Sequence, residues 1–465
     1  MADLARAGNR EAIDRAEAER LLRAEVLVPD ARRVRPLYFD GRFLTAEDLT
    51  REQNYFLSRQ ADLGRAGGAG VVAGLEVTRG GGATRLRVAA GHGVTALGEP
   101  VILTSALEID LADLPELQLL DRVFGLLRQP REPGRSLTGP YVLAARPVEY
   151  SARPIASYPT TLDGKRTVED GEIVEATALS LFPFPEGGGA DDPSARRGRI
   201  ARQIFVEGRP LGAPPGALPL AVLFLTNNIV QWVDNFMVRR EVGAEHGDVL
   251  GMGFAPRAAR EALVLQYHAH LAEIAEQRTR AGAGLNFAAA TYFQVLPPAG
   301  RLPKEVVNAQ SFTQSYFPVG IDADLAVVPQ DEVAALVEES LLLPPIDTTL
   351  PADELESTSV MIVIPVPRHL YRETAVRLTS RTVRLGSATP NLRASFKPLQ
   401  ALQVLANTAN LTTVTLPGPD LEELAERAAV AAWQEALAGA AELWYVRRRN
   451  LHYDVDIVGA TTPIE

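Results

Sequence analysis

The chain contains no cysteine. Disulfide frameworks, cysteine-based zinc sites and thiol nucleophiles are therefore excluded, and the redox compartment is left open. Long hydrophobic runs are missing too. The longest apolar stretch, Ala217 to Leu225, is interrupted by Pro219 and is far too short to span a bilayer. Residues Met1 to Glu11 have no apolar core of the secretory kind, so no signal peptide is expected. Positive charge is in deficit: 58 acidic against 47 basic side chains leave a net charge of −11. That balance argues against nucleic-acid binding by the surface as a whole, because phosphate contacts need basic groups. Neither a Walker A nor a G-x-S-x-G motif occurs.

What is present is a chain of 465 residues, 46% apolar and 23% charged, ordinary for a soluble protein of several domains. Residues 1–35 read as an N-terminal helical arm: Glu11 to Leu27 is rich in Ala, Glu and Arg, and Pro29 stops it. Residues 36–111 hold the densest local logic. Tyr38-Phe39 meets a turn at Asp40-Gly41, and Phe43-Leu44 follows. Thr45-Ala-Glu-Asp48 then starts a helix with a capping box, and Gly64 is expected to end it. Leu49, Phe56 and Leu63 recur every seven residues on one helical face, expected to be buried against Val71–Leu103. Short strands are predicted at Val71–Thr78, Leu86–Ala89, Gly93–Ala96, Pro100–Leu103 and Leu107–Leu111, forming a small antiparallel β-module.

Residues 112–140 read as a linker, opened by a helix. Residues 141–255 read as an antiparallel β domain with strands Tyr141–Tyr150 and Glu172–Phe182 and a mobile loop over 187–198. Its clearest feature is the hairpin Leu218–Leu225 and Ile229–Val233, turning on Asn227-Asn228. Residues 256–465 read as an α+β region. It has helices at Pro256–Arg280, Gln330–Leu342 and Leu421–Trp444, and strands at Phe287–Leu296, Ser359–Val366 and His452–Val458. Strands and helices fall in separate groups without βαβ alternation. The expected fold is thus α+β and multidomain: an N-terminal helix and small antiparallel β-module, then mixed antiparallel β and helical domains.

Candidate chemistry is thin. Gly68-Ala-Gly70-Val-Val-Ala73 fits G-x-G-x-x-A, but here a helix precedes and strands follow, the reverse of a dinucleotide site. His268 and His270 stand two apart on a helix and so point away from each other, His270 half-buried and His268 toward solvent. Asp322/Asp324 and Asp454/Asp456 are D-x-D pairs with no nucleotide pocket to accompany them. Tyr292, Phe293, Phe312, Tyr316 and Phe317 suit a core between small sheets better than a glycan cleft. Arg447, Arg448 and Arg449 form one basic patch, read as a solvated helix end or, more sharply, a docking point for an acidic partner. No enzyme activity, metal or cofactor is expected.

The residues Tyr38-Phe39-Asp40-Gly41, Phe43-Leu44-Thr45-Ala46-Glu47-Asp48-Leu49, Glu52-Gln53 and Tyr55, then Gly74-Leu75-Glu76-Val77, carry a resemblance. They resemble the N-terminal module of proteins of bacterial extracellular contractile injection systems, the phage-tail-like particles. Val88 to Leu103 is similar to the small β-module at baseplate and fibre attachment points of phage tails. The likeness covers residues 36–110, and departs between Leu63 and Gly70, where a longer helix with G-W-G is usual. It implies a structural component at or near the baseplate, present in several copies and docked on other baseplate, tube or sheath subunits. It further implies assembly in the bacterial cytoplasm within a particle that can be released, and no direct membrane insertion. The docking residues it suggests are Tyr38, Phe39, Asp40, Phe43, Leu49, Tyr55, Phe56 and Leu63; the basic run Arg447, Arg448 and Arg449 joins them as a candidate on its charge alone. Two rival readings are a fibre-like surface- or glycan-binding protein using the Tyr292–Phe317 aromatics, and a metal-dependent enzyme using the D-x-D carboxylates.

Overall fold

The computed structural model describes residues 13–114, 136–158, 166–186, 192–244, 255–378, 399, 402–403 and 421–448. A short helix α1 (Arg15–Arg23) is capped by Asp14, whose carboxylate accepts the Glu17 N–H. After an extended strap comes α2 (Ala46–Gly67), which opens with the expected capping box between Thr45 and Asp48. Gly64 does not end it. The helix passes so close to the turn at Gly98 that a Cβ on Gly64 would strike the Gly98 carbonyl, and Gly64 is there to permit that approach. The C-cap falls to Gly68, at φ 84°.

Six strands follow: β1 (Gly70–Gly74), β2 (Val77–Arg79), β3 (Arg85–Val88), β4 (Gly91–Val94), β5 (Pro100–Leu103) and β6 (Leu107–Asp110). They form two three-stranded antiparallel sheets, ordered β1-β4-β5 and β2-β3-β6. The single strand expected over Val71–Thr78 breaks at Gly74-Leu75, both at positive φ (62° and 63°), and the break moves the chain from one sheet to the other. Full burial holds Leu75 in that strained conformation.

The next sheet holds β7 (Gly139–Ser157), β8 (Thr167–Pro183), β9 (Leu218–Thr226) and β10 (Ile229–Asp234) in the order β10-β9-β7-β8, antiparallel throughout. Asn227 and Asn228, at φ 52° and 65°, make the two-residue turn predicted for them. Both faces are covered, and alternation along β7 shows it. Tyr141, Leu143 and Ala145 pack on the β-module with Val71, Leu75 and Val101. Val142 and Ala144 pack with Ile200 of α3 (Pro193–Phe205) and Leu263 of α4 (Arg257–Arg280). Beyond Ala145, β7 pairs only with β8, so the two continue as a two-stranded arm. The loop expected over 187–198 is in its second half the start of α3. Pro193 suits a first helical turn, and the Asp192 carbonyl accepts the Arg196 N–H. Residues 187–191 lie outside the described residues.

A second four-stranded sheet organises the C-terminal region. Its strands are β12 (Ala299–Leu302), β15 (Asp322–Pro329), β17 (Ser359–Val366) and β18 (Leu443–Arg448), ordered β12-β18-β17-β15. Small ladders β11 (Val295–Leu296) with β16 (Ile346–Asp347), and β13 (Val307–Asn308) with β14 (Thr313–Gln314), flank it. β15 and β17 run parallel, joined through α5 (Val333–Ser340) and α6 (Ala352–Leu355), so one βαβ-type crossover stands where none was expected. Helices α7 (Arg368–Leu378) and α8 (Leu421–Gly439) pack near each other. α8 stops short of the predicted Trp444 because Leu443 and Tyr445, both fully buried, alternate inward as strand residues. Phe287–Leu296 is mostly not a strand: Ala289–Thr291 is a 3-10 turn and only Val295–Leu296 pairs. The expected His452–Val458 strand and the 115–135 part of the linker lie outside the described residues. The fold is α+β and multidomain.

Candidate assembly surface

The strap that follows α1 runs antiparallel to α2 and is stapled along one of its faces. Arg33 pairs with Asp62, and Arg32 lies 3.9 Å from the same carboxylate. The Arg35 guanidinium sits 5.8 Å from the centre of the Tyr55 ring, which also carries Arg59 at 5.7 Å. The Tyr38 hydroxyl donates to Glu52 at 2.5 Å, and Arg42 donates to Asp48 at 2.5 Å. Asp48, Tyr55 and Asp62 are seven residues apart and form one stripe. The Asp48 carboxyl is held below its ordinary range chiefly by the Thr45 N–H and hydroxyl, then by Arg42. The Tyr38 hydroxyl is pushed up by its bond to Glu52.

That arrangement overturns the expected burial of Leu49, Phe56 and Leu63. These residues are 49%, 52% and 73% exposed, whereas Tyr55 is 3% exposed. The strap covers the 48/55/62 stripe, and the adjacent 49/56/63 stripe faces solvent. Phe43 (94% exposed), Leu44, Phe39, Leu37 and Tyr38 continue the apolar surface from the N-terminal end of α2. Asp40 occupies the tight turn, where Gly41 takes φ 88° and the Phe39 carbonyl accepts the Arg42 N–H at 3.1 Å. On the polar flank a groove of about 780 Å³ is bounded by Arg32, Glu47, Arg51, Asn54 and Ser58. Of the sequence-derived candidates, the structure brings together Tyr38, Phe39, Asp40, Phe43, Leu49, Phe56 and Leu63 on one unit, and turns Tyr55 inward. The residues missed were Arg33, Arg35, Glu52 and Asp62. No sequence signal marked them, because the strap arginines at 33, 35 and 42 do not share the seven-residue spacing of the 48/55/62 stripe.

The arginine patch belongs elsewhere. Arg447 lies on β18, not at a helix end, and its guanidinium donates to the Pro344 and Pro345 carbonyls at 2.7 and 3.1 Å. Burial lowers its pKa. Arg448 donates to the Met361 sulfur, and Arg449 is outside the described residues. Arg447 is thus engaged inside its own domain, because the sheet draws this segment against the α5–β16 connection.

The chemical candidates are occupied in packing. Asp324 is buried and accepts the Leu325 and Leu399 N–H groups at 2.8 and 3.2 Å, while burial raises its pKa. Asp454 and Asp456 lie outside the described residues. Phe293, Phe312, Tyr316 and Phe317 are core residues. The Tyr316 hydroxyl meets that of Tyr267 at 2.8 Å, so these rings offer no glycan cleft. His270 is buried rather than half-buried, its pKa pushed well down by burial and then by Arg197. His268 is not free in solvent: its Nε2 accepts the Arg301 N–H at 3.1 Å, and burial lowers its pKa to about 4. The strongest buried polar group is Arg197, which donates to Asp234 at 3.0 and 2.8 Å and to Glu273 at 2.7 Å. Asp234 also accepts from Gln266 and from the Phe236 and Met237 N–H groups. This network ties α3, β10 and α4 together, with Arg197 and Asp234 buried and Glu273 at its solvent edge. Among the described residues no group of three or more His, Asp or Glu side chains is placed to hold a metal ion. Nor is any helix among them long and apolar enough to cross a membrane.

No protein-family model and no curated protein matches the chain. Among solved structures it is similar to TssK in a crystal structure, at 11% identity and a TM-score of 0.23, over 53% of this chain and 49% of that one. It thus spans about half the length of that protein. It is also similar to a chain of the type VI secretion system TssK-TssF-TssG baseplate subcomplex seen by cryo-electron microscopy. There the identity is 12% and the TM-score 0.24, over 87% of this chain and 99% of that one. A third structure, the baseplate complex from the type VI secretion system, gives 11% and 0.23 over the same shares. TM-scores this low do not establish a shared fold.

Proposed function

We propose that this chain is a structural, non-enzymatic subunit of a contractile, phage-tail-like injection particle, at or near its baseplate, and that the α2 unit docks it on neighbouring subunits. The observation that carries this reading is the apolar surface running from Phe43 through Leu49 and Phe56 to Leu63, left in solvent by a helix that its own chain grips on the adjacent stripe. Apolar side chains clustered on a rigid element mark surfaces that another protein covers. The resemblance of residues 36–110 to the attachment module of such particles supports the same reading, and so does the engagement of Asp324, His268 and His270 within the fold. The particle would assemble in the cytoplasm with several copies of the chain, contacting baseplate, tube or sheath subunits.

The test is co-purification with sheath-and-tube particles, viewed in negative stain. The wild-type chain is expected in the particle fraction. The triple change Leu49→Ser, Phe56→Ser, Leu63→Ser is expected to leave it, with unchanged circular dichroism because these side chains are exposed already. A wild-type chain found only free, beside intact particles, would sink the reading.

A further inference from the structure

Leu49, Gln53, Phe56, Gln60 and Leu63 follow one another at steps of four and three, the spacing of a coiled-coil seam, and all five are exposed. A surface with that period accepts another helix. Two charged residues flank the seam on one side: Glu52, four positions before Phe56, and Arg59, three after it. Resting on the docking reading above, we infer that the helix covering this seam is α2 of a second copy, packed antiparallel about a twofold axis near Phe56.

Charge order selects this occupant and its direction. In an antiparallel pair, Glu52 of each copy lies opposite Arg59 of the other, giving two opposite-charge contacts by symmetry. In a parallel pair Glu52 would face Leu57, and Arg59 would face Gly64, so neither would meet an opposite charge across the pair and each would keep only its contact within the chain, to Tyr38 and Tyr55. The antiparallel layers also match in kind. Leu49 meets Leu63 at either end, Phe56 meets its own copy in the middle, and Gln53 and Gln60 set amide against amide. Phe43 and Leu44 extend the seam past the Leu63 end of the other helix, where Leu97 is exposed. The helix arrives prepared. The capping box fixes its start, the strap holds the 48/55/62 stripe, and the Tyr38 hydroxyl orients Glu52. Little ordering entropy then opposes pairing.

The absence of cysteine makes the test clean, since each introduced thiol reports only itself. In the full chain, Phe56→Cys is expected to form a covalent dimer on oxidation or with a short bis-maleimide. Leu49→Cys and Leu63→Cys should each cross-link poorly alone and efficiently when mixed. Glu52→Arg and Arg59→Glu should each weaken the dimer about tenfold in sedimentation equilibrium, and the double change should restore it. Equal self-cross-linking at positions 49, 56 and 63 would overturn the antiparallel arrangement. A wild-type chain monomeric at roughly 100 µM, with no F56C cross-link, would overturn self-pairing altogether. If the seam is still needed for particle incorporation in that case, self-pairing falls and docking stands. If F56C dimerises but particles lack the protein, the docking reading falls and self-pairing stands.

Discussion

Tyr55 and Phe56 are adjacent in sequence and opposite in environment. The Tyr55 ring is held between two guanidinium groups under the strap, while the Phe56 ring touches it edge-on at 5.4 Å and otherwise meets solvent. Tyr55→Ala should therefore destabilise the chain by about 3 kcal/mol, through lost burial and lost cation–π contact. At concentrations low enough that the chain is unpaired, Phe56→Ser should stay within about 0.5 kcal/mol, despite removing a large apolar side chain. Urea unfolding of the two variants measures the contrast. A larger loss from Phe56→Ser than from Tyr55→Ala would place the seam inside the molecule. The seven-residue period of this helix was legible in the sequence. Which of two neighbouring stripes faces its own chain was not, because that depends on where Arg33, Arg35 and Arg42 arrive from outside the helix.

At the scale of elements, the meeting of α2 with the β4–β5 turn is the joint between helix and β-module. Gly64 and Gly98 face each other there, and Gly98 takes φ 85° with the Ala61 carbonyl where a Cβ would lie. Gly98→Ala should cost about 2–3 kcal/mol, combining a left-handed backbone with a backbone clash. It should also raise amide exchange at Ala61–Gly68 more than in the sheet of β7–β10. Uniform exchange across both regions would show that the turn is not the joint. Elements with a strong local signal were readable without the fold: the capped start of α2, the Asn227-Asn228 hairpin, and the helix over Arg257–Arg280. Short apolar segments were not. Phe287–Leu296 and the segment ending in Trp444 carry side chains that suit either helix or strand, and tertiary burial decided between them.

At the scale of the molecule, the β7–β10 sheet is clamped between the β-module and the α3–α4 layer, and Arg197 ties that layer to β10 through Asp234. His268 and His270 lie along α4, both with pKa values depressed by burial; that of His268 falls from 6.5 to about 4. A depressed imidazole is neutral in the fold above its folded pKa, while the unfolded chain takes up protons below about 6.5. The unfolded state therefore binds more protons in that interval, and stability rises with pH there. Unfolding free energy should be flat with respect to these groups above pH 6.5 and fall as pH drops from 6.5 toward 4. Replacing His268 by Gln, which can still accept the Arg301 N–H, should flatten part of that slope. An unchanged slope in denaturation curves across this range would remove His268 from the account.

Composition and spacing by themselves determined that cysteine chemistry is excluded, the α+β multidomain character, and the strongest caps and turns. These follow from side-chain type and from hydrogen bonds within a few residues. The tertiary structure alone decided which face of α2 its own chain takes and which it leaves to solvent. It also turned Tyr55 inward and drew Arg447 into its own domain. Each of those outcomes depends on a partner distant in sequence, and only the assembled fold supplies it.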